Sequence, residues 1–192
     1  MKMISGAIII HGSYGSPDEN WFPWLKAELE KLSYKVFVPE FPTPKNQKLE
    51  AWMGTFDKYR ENLDENSILI GHSIGCAFIL SILEKIEVKI NAVFLVAGFL
   101  GPLGNDFYDS ISKTFTQKDF EWEKIKNNCD KFFVYHADND PHIPLEKGRE
   151  IAKNLDSKLI IVKNAGHFNG KSGYKKFELL LEDIKNITAK HL

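Results

Sequence analysis

Short unbroken apolar runs recur along the chain and alternate with longer stretches in which apolar residues return every three or four positions. The runs cover 4–10, 35–38, 67–70, 92–96, 132–136 and 158–162. They are rich in Val, Ile and Phe and carry little polar alternation, which suits strands covered on both faces. Helical spacing appears over 21–32, 49–63, 75–85, 145–155 and 173–189. In the last of these, Phe177, Leu180, Leu181, Ile184 and Ile187 make one apolar face. Asp18 and Asn20 are candidate caps of the first helix, and Pro144 suits the start of the helix over 145–155. Strand alternating with helix predicts an α/β domain, a parallel sheet wrapped by helices on both faces.

The segment 98–128 breaks this rhythm. It holds Gly101, Pro102, Gly104 and many aromatics, and only 119–126 has helical spacing. Excess loop at the carboxyl end of a parallel strand is where ligand-binding material sits. The segment is therefore the candidate small cap or site-lining segment; the pattern alone fits a longer surface connection equally well. Its aromatics either close the core over the end of the sheet or make a small apolar wall at a site.

Composition narrows the picture. A chain of 192 residues fits one domain over 1–192, and such a domain buries roughly two-thirds of its unfolded surface. Lys plus Arg number 25 and Asp plus Glu 26, for a formal charge of −1. That balance argues against non-specific nucleic-acid binding, which needs a basic face. The longest uncharged apolar stretch, 92–103, contains Gly98, Gly101 and Pro102, whereas a spanning helix needs roughly 20 apolar residues. Ser5 and Gly6 interrupt the apolar start and no small-residue cleavage site follows, so 4–10 reads as a first buried strand rather than a leader. Cys76 and Cys129 make no CxxC pair, and a reduced, cytoplasmic setting is expected.

The pentapeptide Gly71-His72-Ser73-Ile74-Gly75 matches G-x-S-x-G, and it lies between a predicted strand and an apolar helix beginning at Cys76. A sharp strand-to-helix turn lifts the serine hydroxyl clear of the sheet, and glycines two before and two after relieve the crowding. The alternative is a glycine-bracketed helix start without chemistry. A nucleophilic serine needs a base and an orienting acid, here expected in the order acid then histidine, each after a later strand. After 132–136 come Asp138 and Asp140, and after 158–162 comes Gly166-His167. The candidate triad is Ser73, Asp140 and His167. Asp140 is preferred to Asp138 because the prolines of Pro141-His142-Ile143-Pro144 would fix its direction. A metal cluster of His11, His136, His142 and Asp140 has no supporting ligand spacing. His136 and His191 have ordinary structural readings, and Cys76 reads as core. No metal or cofactor is needed.

These residues resemble the α/β-hydrolases, and more narrowly the small retinoblastoma-binding-protein-9-like (YdeN-type) serine hydrolases. The resemblance spans nearly the whole chain and rests on His11-Gly12-Ser13, Trp21-Phe22-Pro23-Trp24, Gly-His-Ser-Ile-Gly, Asn-Asp-Pro-His-Ile-Pro and Ala-Gly-His. It maps the triad onto Ser73, Asp140 and His167. It implies a compact α/β-hydrolase fold without a large lid, whose six-stranded, mostly parallel sheet has the order 2-1-3-4-5-6. The carboxyl ends of strands one and three then form the switch point. The oxyanion hole should combine the Ile74 N–H with that of Ser13, with Gly12 and Tyr14 as alternatives. Candidate site-lining residues are His11, Gly12, His72, Phe99 and His142. At His142 the family pattern has a more apolar or aromatic residue. No L-x-C-x-E sequence is present, so the family name lends no support to binding of a retinoblastoma-type pocket protein. The expected activity is hydrolysis of a small acyl ester through an acyl-enzyme. The rivals are a silent binding module on the same fold and, among enzymes, a thioesterase, amidase or peptidase. Protein partners are unknown.

Overall fold

Six strands pair side by side in residues 5–188, the part of the chain that the computed structural model describes. They are β1 (Gly6–Ile10), β2 (Lys35–Phe37), β3 (Ile68–His72), β4 (Ile90–Val96), β5 (Cys129–Ala137) and β6 (Leu159–Val162). Their order is β2-β1-β3-β4-β5-β6, and every adjacent pair is parallel.

Both faces of the sheet are covered, which is why the central strands read as unbroken apolar runs. On one face Ala7, Ile9, Ile68, Ile70 and Phe94 meet α1 (Phe22–Lys31) and α7 (Glu178–Thr188). The alternate residues Ile8, Ile10, Leu69, Val93 and Leu95 face the other core. That core is closed by α2 (Leu49–Phe56), α3 (Ile74–Leu83), α4 (Asp106–Thr116), α5 (Trp122–Asn127) and α6 (Leu145–Asn154). Helix α3 is buried along its whole length, so its sequence is apolar on every side rather than amphipathic.

Four sequence expectations need correction. Helix α4 is a regular helix inside the segment read as loop; its Phe107, Ile111 and Phe115 repeat at intervals of four, and Asn105 caps it by accepting from the Tyr108 N–H. Neither Asp18 nor Asn20 caps α1, whose N-cap is Trp21; the Asn20 side chain instead accepts from the Gly170 N–H at 2.9 Å. The stretch 49–63 breaks after Phe56 and resumes as a 3-10 turn at Arg60–Asn62. The last helix starts at Glu178 rather than at 173, where Gly173 ends a separate 3-10 turn over 170–172 in a left-handed conformation with φ 83°. Pro144 does sit at the N-cap of α6. His191 lies outside the described residues.

The chain leaves β1 toward β2 on one side, then enters β3 on the other. The crevice beyond the carboxyl ends of β1 and β3 is therefore the switch point, where neighbouring connections diverge and leave room for a ligand.

Candidate active site

Ser73 stands at this crevice with φ 56° and ψ −123°, a strained backbone for a residue with a side chain. The turn needs glycines on both sides for lack of space. A Cβ on Gly71 would lie 2.9 Å from the Gly75 carbonyl, and one on Gly75 would lie 2.7 Å from the Ile10 oxygen. Ser73 is also the N-cap of α3, a position where serine ordinarily caps the helix with its own oxygen. Here the side chain makes no capping bond. The hydroxyl is left free for the cleft, and the Ile74 N–H at the first helical position has no intrahelical acceptor.

Opposite, the loops after β5 and β6 are laced together by three successive side chains. Asp138 accepts from the Asn164 N–H, Asn139 from the Gly166 N–H, and Asp140 Oδ2 from His167 Nδ1, each at 2.8 Å. The other oxygen of Asp140 accepts from the backbone N–H groups of His142 (2.8 Å) and Ile143 (3.1 Å). These amides, rather than the prolines themselves, set the direction of the carboxylate. Burial alone would raise the Asp140 pKa. The hydrogen bond and charge of His167, with the two amides, more than offset it and hold the carboxyl below its ordinary range. Behind this loop the Trp21 indole N–H donates to the Phe168 carbonyl at 3.0 Å, which gives the Trp-rich start of α1 a role in seating His167.

The remaining histidines divide by their partners. His72 is buried and donates from Nε2 to the His167 carbonyl at 2.8 Å, tying the nucleophile turn to the base loop. Burial, then the neighbouring His167, pull its pKa down to about 3. His142 stands edge-on to the His167 ring at 5.2 Å between centroids. His11 accepts from the Phe41 N–H on Nε2, so its proton is on Nδ1 and is given to the Gly12 carbonyl. It braces the loop after β1 from below and is not on the cleft lining. His136 is buried, bonded to the Ile143 carbonyl. With ring nitrogens of both His11 and His136 engaged by backbone, the cluster considered for a metal is not assembled; among the described residues no group of three such side chains is arranged to hold an ion. The Cys76 thiol is buried beneath the turn, and burial pushes its pKa up, which makes a poor nucleophile.

The cleft has a volume of about 840 Å³. Ser73 and His167 line it together with Gly12, Ser13, His72, Phe99 and His142. It lies in the upper part of the range of about 300–1,000 Å³ for small-molecule sites. The aromatics of 98–128 split between the two expected roles. Phe115 packs in the core against Trp52 at 4.9 Å. Phe99 and Tyr108 line the cleft with Leu103 and Ser112, and exposed Phe107 stacks on Tyr14 at 6.2 Å. Tyr108 and Ser112 fall in the segment expected to line a site, whereas Glu19, Asn20 and Lys171 in the lining belong to no motif and were missed.

Comparison with known proteins agrees with this architecture. Over 190 residues the chain is 29% identical to YdeN of Bacillus subtilis, covering 98% of each protein. The crystal structure of that protein superposes with a TM-score of 0.89 over 96% of this chain and 99% of the other. The serine hydrolase RBBP9 of Rattus norvegicus is 27% identical over 184 residues, 94% of each chain. Est1E from Butyrivibrio proteoclasticus, at 16% identity and a TM-score of 0.73 over 97% of this chain and 88% of the other, shares the fold. The family described as serine hydrolase matches residues 7–186, and with its fold and switch-point serine on the page, the chain belongs to that family.

Proposed function

We propose that Ser73, His167 and Asp140 act as a hydrolytic triad and that the chain cleaves small carboxylic esters. Ser73 Oγ attacks the acyl carbonyl while His167 Nε2 takes its proton and returns it to the leaving alcohol. Asp140 keeps the proton of the imidazole on Nδ1 and stabilises the imidazolium as it forms. The N–H groups of Ile74 and Ser13 receive the developing oxyanion, and water then resolves the acyl-enzyme. Tyr14 is not a donor in this scheme, because its N–H is already given to Thr43 Oγ1 at 2.7 Å.

The observation that carries this reading is the 2.8 Å bond from His167 Nδ1 to Asp140, made at the cleft that Ser73 also lines. A fluorophosphonate probe tests it. The wild-type chain should label at Ser73 and hydrolyse p-nitrophenyl esters, and Ser73→Ala should lose both while unfolding at an unchanged temperature. Labelling that persists in Ser73→Ala, at Ser13 or Ser16, would overturn the assignment. A silent binding module would label nowhere. Turnover across esters, thioesters and aminoacyl amides then ranks the leaving groups.

A further inference from the structure

The loop after β1 is held by a chain of hydrogen bonds that runs in one direction. The Tyr14 N–H donates to Thr43 Oγ1, and the Thr43 hydroxyl donates to Gln47 Oε1 at 2.5 Å. Gln47 Nε2 then donates to the Ile111 carbonyl of α4 at 3.1 Å and to Ser13 Oγ at 2.8 Å. A backbone carbonyl only accepts, so the Ile111 contact fixes which end of the carboxamide is the NH2 group. It follows that Ser13 Oγ is an acceptor toward Gln47. Its own proton has no acceptor among the described residues, and Ser13 lines the cleft beside Ser73. The loop is pressed against the nucleophile: a Cβ on Gly12 would come within 2.9 Å of the Ser73 Cβ.

We propose that the Ser13 hydroxyl is a third oxyanion donor, aimed and polarised by Gln47. This deepens the triad reading above and rests on it. A hydroxyl whose oxygen already accepts a hydrogen bond is a stronger donor, and buried Gln47 meets little competition from water. The bond formed would strengthen as the carbonyl oxygen of the substrate gains charge, so it would lower the barrier more than it tightens ground-state binding. It also makes good the loss of the Tyr14 N–H, which the same chain of bonds consumes at its other end.

The test uses the full chain, p-nitrophenyl butyrate and phenylboronic acid, whose tetrahedral adduct mimics the oxyanion. Ser13→Ala leaves the backbone N–H in place and removes only the hydroxyl. It should lower kcat roughly 10²–10³-fold, the usual effect of deleting one such donor, and weaken the boronate by a similar factor. KM should stay within about threefold. Ser13→Thr should restore most of the rate. Gln47→Glu should also slow the enzyme, because the new carboxylate accepts the Ser13 proton and turns it from the cleft. A Ser13→Ala variant whose kcat and boronate affinity lie within twofold of wild type overturns the proposal. So does a fall in kcat with boronate affinity unchanged. Fluorophosphonate labelling of wild-type Ser73 separates the two failures. Its absence removes the triad reading and the inference together, whereas a labelled, active wild type with an equally active Ser13→Ala removes the inference alone.

Discussion

Acid should destabilise this protein through His72 before most of its carboxylates titrate. In the unfolded chain the imidazole takes a proton near pH 6.5, whereas the buried folded ring resists one until about 3. The folded pKa is depressed, so the contribution is fully present above pH 6.5 and is lost as pH falls toward 3. At pH 5 the deficit is about 1.5 units, or about 2 kcal/mol, and it depends mainly on the unfolded value. With a urea slope of roughly 1–3 kcal/mol per molar, the midpoint should fall by about 1 M. Burial also lowers the pKa of His11 and His136, so the total slope of wild type has the same sign and is steeper. The contribution of His72 is isolated with His72→Gln, whose amide keeps a donor for the His167 carbonyl but does not titrate. Urea unfolding at pH 7.5 and 5 should show wild type losing about 2 kcal/mol more than the variant over that interval. Equal losses in the two proteins would refute the reasoning, because the ring would then be protonated in the folded state or unconstrained by burial.

Two further outcomes concern turnover. Asp140→Asn should cut kcat by about 10⁴, as losing the acid of such a triad misorients the base and leaves the wrong tautomer; Asp138→Asn should stay near wild type, because its oxygen can still accept from the Asn164 N–H. The reverse ranking in a steady-state ester assay would move the acid to Asp138. Along a series of p-nitrophenyl esters, kcat/KM should rise by no more than about fourfold per methylene, the equivalent of about 0.8 kcal/mol, while the chain lies against Phe99, Leu103 and Tyr108. It should fall once the chain outruns that wall, and an undiminished rate at sixteen carbons would contradict it.

The strands were legible because burial on both faces leaves a run such as Ile8-Ile9-Ile10 without polar interruption. The nucleophile turn was legible for a steric reason, since only glycine fits at positions 71 and 75. Helix α4 was hidden by its lead-in, where Gly101, Pro102 and Gly104 signal loop, and by an outward face bearing Asp106, Asp109, Ser110 and Lys113. Gln47 was hidden differently. It acts through bonds to chain distant in sequence, and an isolated amide on a loop carries no periodicity or spacing that points to its partner.

The lacing of the acid loop to the base loop has a consequence for how this fold can vary. Its three anchors fall on Asn164, Gly166 and His167, and the Trp21 indole fastens Phe168. Beyond that point the chain is secured separately, by Asn20 at Gly170, before it enters α7 at Glu178. The stretch 169–175 therefore borders the cleft with Asn169, Gly170, Lys171 and Lys175, yet none of the bonds that seat the imidazole passes through it. Side chains vary most freely where they are exposed and the backbone they hang from is not involved in seating another group. The exposed Lys171 and Lys175 can thus change the rim of the cleft while the imidazole keeps its place, whereas Ser172 and Tyr174, close against Gly166 and Phe168, cannot.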